Sequence, residues 1–265
     1  MQYQANMLQR YPGGKDANKC RKYIKDILVA NCDKYVEQDF SAKVQGKNLH
    51  LKNIIGVFNP RAEKFILLCS HYDNRPMCDK EADAKLQKQP CPGANDGASS
   101  TAVLLELGKV FHSKKPKVGV ILVFFDGEDY AKENDDMYLG SKYFGENVSK
   151  IVDKDKIEYG ILLDMIGDKE LNICIEQISN YSAPDVIASV WKCAKELGYS
   201  KNFVPEATYA IDDDHVSLIE CGIKCIDIID FNYKYWHTTG DTADKCSPES
   251  LKIVGNVISK YIYDL

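Results

Sequence analysis

The chain has 265 residues, 45% hydrophobic and 28% charged, which suits a globular fold with a substantial core and excludes a disordered, collagen-like or coiled-coil chain. Against 39 acidic residues stand 34 basic ones, and the net charge of −5 offers no electrostatic footprint for nucleic acid or an anionic membrane. The longest apolar run, Val118 to Phe125, is far short of the roughly 20 residues that span a bilayer.

In chain order, Met1 to Tyr11 is polar and lacks the apolar centre of a signal peptide. The expectation is therefore a cytosolic protein or a mature form whose leader has been removed. Ala17–Ala30 predicts a helix with Cys20, Tyr23, Ile24 and Ile27 on one face. Asn53–Phe58 and Phe65–Ser70 read as strands, and Asp73–Pro92 as a long polar loop. Ser99–Phe111 opens on small capping residues and continues with helical spacing. Val118–Phe125 is a strand, Ala131–Asp136 a loop, and Tyr159–Ile166 a strand. Asp185–Leu197 is a helix whose Trp191 belongs to the core. Lys224–Ile229 is a strand, and Pro248–Tyr263 a helix with proline in its first turn. The strands are apolar almost throughout, as strands covered on both faces are. Alternation with helices predicts an α/β protein with a mixed or mostly parallel sheet, organised as one domain over residues 1–265.

Ten cysteines include no CxxC pair, so neither a zinc ribbon nor a thioredoxin-type pair is present. Cys78 and Cys91 bracket the polar loop and could staple it; small buried thiols are the other reading.

Chemistry in open α/β sheets gathers where strands end. Here Phe65–Ser70 runs into His71 and Asp73, and Val118–Phe125 into Asp126, Glu128 and Asp129. Tyr159–Leu163 leads to Asp164, and Lys224–Phe231 leads to Trp236 and His237, while Asp96 precedes a helix. Singly, each acid is a turn residue and each histidine a surface or satisfied polar group. Together, His71, Asp96, Asp129, Asp164 and His237 offer the nitrogen and oxygen donors that a borderline cation such as zinc takes. Of the neighbours Glu128 and Asp129, one can bind metal while the other carries a proton.

The segments CSHYDNRP (69–76), GANDGASSTAVLLEL (93–107), FFDGEDY (124–130), LLDMIG (162–167), DDDH (212–215) and YWHTTGDT (235–242) occur in this order. Together they resemble the zinc exopeptidase superfamily, which holds co-catalytic zinc aminopeptidases and glutaminyl cyclases, and the likeness lies closest to the bacterial-type cyclases. The resemblance implies a three-layer α/β/α sandwich around a central mixed, mostly parallel twisted sheet. It implies that Asp96, Asp129 and His237 hold zinc, that Glu128 is the general acid/base, and that His71 and Asp164 hold a second metal in the aminopeptidases. Asp129 stands where the family usually has glutamate. Asp213 matches a cyclase residue that, with Asp164, positions Glu128 by short hydrogen bonds, and Trp236 matches one wall of the pocket for a glutaminyl side chain. The implied activity is that of a glutaminyl-peptide cyclotransferase, an acyltransferase with one zinc, acting on peptides or proteins with N-terminal Gln. The alternative is a two-zinc aminopeptidase. A receptor-like relative that has lost its ligands is disfavoured by the intact set. The resemblance also implies a cis peptide after Asp96, a monomer and an exported protein.

Overall fold

The computed structural model describes residues 1–131 and 136–265, so most of the loop expected at Ala131–Asp136 lies outside the described residues. Eight strands are described: β1 (Lys34–Val44), β2 (Lys47–Phe58), β3 (Phe65–His71), β4 (Gly119–Phe125), β5 (Ile157–Asp164), β6 (Ile173–Glu176), β7 (Phe203–Tyr209) and β8 (Cys225–Ile229). The main sheet has six strands in the order β1-β2-β4-β3-β5-β8. Pairing is antiparallel from β1 to β2 and from β2 to β4, then parallel through β4, β3, β5 and β8. The parallel strands therefore discharge their chemistry-bearing ends at one edge.

Side-chain alternation divides the sheet into two apolar faces. On one, Ile66, Leu68, Leu122, Phe124, Leu163 and Ile228 meet helices α2 (Ala17–Asn31), α3 (Ala98–Ser113), α6 (Pro184–Glu196) and α8 (Pro248–Asp264) through Leu28, Phe111, Val190 and Val257. On the other, Leu67, Cys69, Ile121, Val123 and Leu162 meet α4 (Leu139–Asn147) and α7 (Asp214–Glu220) through Phe144 and Leu218. This is the expected three-layer α/β/α sandwich. Two short helices, α1 (Gln2–Ala5) and α5 (Gln177–Ser182), complete the described set.

The predicted strands and helices are all present within a few residues of their expected limits, except that β2 begins at Lys47, six residues before the expected Asn53. Strand β5 stops at Asp164, two residues early, because Met165 adopts φ +46° and turns the chain. Trp191 is half-buried, packs edge-on against Phe203 at 5.3 Å, and donates its indole N–H to the Val204 carbonyl at 3.0 Å. Sequence patterning missed β1, β6 and β7. Strand β1 is an edge strand of half-exposed residues joined to β2 through Gln45 and Gly46, both at positive φ as a two-residue hairpin turn needs. Strands β6 and β7 form a separate parallel pair. Cys78 and Cys91 are disulfide-bonded, while Cys20, Cys69, Cys193, Cys225 and Cys246 are buried free thiols, so both readings of the cysteines hold in part. Among the described residues, no helix is long and apolar enough to cross a membrane.

Candidate metal centre

The ends of β3, β4 and β5 and the loop after β8 bring the predicted residues together. His71 closes β3, and its Nε2 lies 3.1 Å from Asp96 Oδ1 and 3.2 Å from Asp164 Oδ1. His237 Nε2 lies 3.4 Å from Asp129 Oδ1 and 3.6 Å from Asp96 Oδ2. Two buried groups result, His71/Asp96/Asp164 and Asp96/Asp129/His237, each with ligand-type atoms within 4.8 Å of one another. Asp96 belongs to both. Glu128 belongs to neither, and its Oε2 lies 3.6 Å from His71 Nδ1.

Local backbone chemistry aims these side chains. After β4, Gly127 at φ +73° turns the chain, and the Asp73 carboxylate accepts the amides of Glu128 and Asp129, both at 3.3 Å. The Asp241 carboxylate accepts the amides of Asn95 at 2.8 Å and Asp96 at 3.1 Å, and the Tyr233 hydroxyl at 2.8 Å. Beneath the same loop, the wholly buried Arg10 guanidinium donates to the carbonyls of Tyr72, Pro92, Gly93 and Asp96. His237 itself sits at φ +55°, a conformation that costs a non-glycine residue energy and concentrates at functional sites. The peptide after Asp96 is trans, contrary to expectation: the described residues contain no cis bond. Gly97 at φ +81° makes the turn into α3, and Asp241 fixes the preceding amides, so the carboxylate is aimed without one.

Negative charge dominates the electrostatics. Burial and the neighbouring Asp129 charge push Glu128 well above the ordinary carboxyl range, with Asp213 adding to the push. Burial would lower both imidazoles, but the Glu128 charge and the hydrogen bond with Asp164 raise His71 well above its usual value. Asp129 raises His237 to about 9 in the same way. Burial alone would raise Asp96; the hydrogen bond to His71 brings it down to about 2. The surrounding carboxylates thus draw both imidazoles toward the cationic form, the same negative charge that a bound divalent cation would neutralise. The nitrogen and oxygen donor set, and the buried Asp129 Oδ2 without a hydrogen-bond partner among the described residues, fit zinc.

Asp164, Asp213 and Trp236 join Glu128 around a cleft with about 50 Å³ of room. The Trp236 ring lies 4.0 Å from the His237 ring and 5.2 Å from Phe231, centroid to centroid. The hydrogen bonds of the two aspartates run elsewhere than expected. Asp164 pairs with His71, and Asp213 accepts the Asp214 amide to cap α7. Asp213 bears on Glu128 through charge.

Sequence reasoning missed Arg10, Arg75, Asp79 and Asp241. Asp241 lies inside the YWHTTGDT segment and Arg75 inside CSHYDNRP, so both carried a signal; Arg10 and Asp79 carried none. Asp230, just past β8, was also unassigned. Its carboxylate accepts the Asn172 amide at 2.9 Å, and burial pushes its pKa from 3.8 to about 7. A carboxyl raised on folding stabilises below its unfolded pKa, and that contribution is lost as pH rises from about 4 to 7. Asp230→Asn is expected to shrink the stability difference between pH 5 and pH 8 by up to about 2 kcal/mol. Denaturant titrations of both proteins at the two pH values check this; an unchanged difference contradicts it.

A buried imidazole and carboxylate centre at the carboxyl edge of the sheet, in a three-layer α/β/α sandwich, gives the chain the fold of zinc exopeptidase-like proteins. Residues 53–262 match Peptidase family M28, and the chain belongs to that family. A Bacteroides thetaiotaomicron glutaminyl cyclase, solved with N-acetylhistamine bound, is 34% identical, covers 99% of this chain and 94% of its own, and superposes with a TM-score of 0.95. A leucine aminopeptidase precursor from the same organism is 35% identical, with coverage of 99% and 94% and a TM-score of 0.95. The glutaminyl-peptide cyclotransferase of Drosophila melanogaster is 27% identical over 241 residues, spanning 80% of this chain and 65% of that protein. Cyclase and aminopeptidase names thus occur side by side among the relatives.

Proposed function

We propose that the protein is a zinc-dependent glutaminyl-peptide cyclotransferase that converts N-terminal glutamine to pyroglutamate with release of ammonia. The observation that carries this reading is the cleft. The Glu128 carboxyl, buried and outside both metal groups, faces a small cleft walled by Trp236, where a short side chain can fold back on its own amine. The cyclase names among the relatives support it.

In the reaction, the α-amine nitrogen attacks the side-chain amide carbon of the same residue. A carbon–nitrogen bond closes the five-membered lactam, the bond to the amide nitrogen breaks, and ammonia departs. Asp96, Asp129 and His237 would hold zinc, which supplies Lewis-acid polarisation of the amide carbonyl when bound. Glu128 takes the proton from the attacking amine and delivers it to the leaving nitrogen. Asp213, itself pushed up by burial and the neighbouring Asp164, joins Asp129 in favouring the protonated form of Glu128 between the two transfers. Trp236 confines the side chain, so a floppy chain reacts as an oriented one.

A specific observation favours a second reading: the complete His71/Asp96/Asp164 group beside the first could hold the second ion of a zinc aminopeptidase. One assay separates the two. Ammonia release from a Gln-initiated peptide, with little cleavage of a Leu-initiated one, is expected. Rapid leucine release without ammonia would replace the cyclase reading with the peptidase.

A further inference from the structure

The segment from Asp73 to Pro92 leaves β3 and returns just before Asp96, closed on itself by the Cys78–Cys91 disulfide and by the Cys91 amide donating to the Arg75 carbonyl at 3.0 Å. It does more than cover surface. Arg75 donates from Nε and Nη2 to the two oxygens of Asp79 at 2.7 and 3.2 Å, and from Nη1 to the Asp129 carboxylate. Asp79 lies 3.3 Å from His237 Nδ1. A chain of close polar contacts therefore runs from Asp129 through Arg75 and Asp79 to His237, its last link a 3.3 Å approach to a buried Nδ1 that makes no hydrogen bond among the described residues. The same segment grips the His237 backbone: the Lys80 amide donates to the His237 carbonyl at 3.2 Å, and Glu81 Oε1 accepts the Thr239 amide at 2.7 Å.

We propose that Asp79 is a positioning residue that holds His237 with Nε2 turned toward Asp96 and Asp129, and that the Cys78–Cys91 bond keeps it there. A carboxylate on Nδ1 selects the tautomer with its proton at that nitrogen and leaves Nε2 as the free donor. The Arg75–Asp79 pair is largely buried, with side chains 5% and 18% exposed, so it is shielded from the screening that weakens surface ion pairs. Removing the disulfide frees the segment next to Asp79 while leaving the sheet untouched.

The proposal rests on the zinc assignment above but not on the choice between cyclase and peptidase, because both use Asp129 and His237. Zinc affinity is measured by chelator competition for the parent, Asp79→Asn, Asp79→Glu and the Cys78→Ser, Cys91→Ser double variant. The thermal midpoint of each metal-free chain is recorded alongside. Asp79→Asn is expected to weaken zinc by roughly 10–100-fold, and because it also removes the charge facing Arg75 its metal-free midpoint should fall, so affinity is read on the folded metal-free chain. Asp79→Glu should recover most of that loss, and the double variant should lose affinity in the same direction. Nitrogen NMR of the zinc-loaded parent should show the His237 proton at Nδ1. Asp79→Asn binding within twofold of the parent, or a bare Nδ1 in the parent, overturns the proposal, and the second readout stands even if a variant fails to fold. A parent that binds no zinc instead overturns the metal assignment, and this inference with it.

Discussion

Replacing Glu128 with glutamine is expected to lower kcat by roughly 10²–10⁴-fold with zinc content unchanged. Glutamine keeps the size and polarity of the side chain but cannot accept the proton that must leave the attacking amine. Glu128 lies outside both three-residue groups, so its loss removes no ligand. Burial and the charges of Asp129 and Asp213 already oppose its ionisation, so the substitution takes little negative charge from the site and leaves the ligand set intact. Turnover and metal content measured on the same preparation separate the two effects. Turnover within tenfold of the parent would remove Glu128 from its role. Loss of zinc together with activity would make it a ligand instead.

Much of the fold is legible because its strands are buried on both faces. Strand β3 has all seven residues buried, and β4 likewise, so each appears as an unbroken apolar run. The strands that escape notice lack that property. Most of β1 is half-exposed at the sheet edge, and β7 is exposed over its last five residues with Pro205 and Glu206 inside it. Their pairing is decided by partners elsewhere in the chain, which no local pattern announces.

The same distinction runs through the candidate centre. His71, Asp96, Glu128, Asp129, Asp164 and His237 stand at strand ends or a helix start, where apolar runs point to them. Arg75 and Asp79 matter because a loop folds back onto residues 54 positions away in one case and, in the other, onto His237. Arg10 reaches the Asp96 carbonyl across 86 positions. A single arginine in a polar stretch has no periodicity to betray such a contact, and its importance comes from burial alone. Asp213 shows the converse: its place in the cleft was expected, but the hydrogen bonds it makes depend on where α7 begins.

Gly97→Ala is expected to destabilise the protein by about 2–4 kcal/mol and to weaken zinc binding. Two causes add. Gly97 sits at φ +81° and ψ −43°, outside the left-handed helical region, where a side chain costs about 1–3 kcal/mol. A Cβ there would also stand 2.8 Å from His71 Cε1 and 2.9 Å from the Asp73 carbonyl oxygen. The carbonyl is backbone and His71 is packed between Asp96, Asp164 and Glu128, so relief requires moving an imidazole or the loop that carries Asp96. Gly46 supplies the control. It has the same φ of +81° in the turn between β1 and β2, with nothing within 4 Å of the place a methyl group would take. Gly46→Ala therefore bears the backbone cost alone and leaves zinc binding as it was. Denaturant midpoints and chelator titrations on both variants isolate the steric term. If Gly97→Ala costs no more than Gly46→Ala and keeps its zinc, the close packing of backbone against His71 is not what holds the centre in shape.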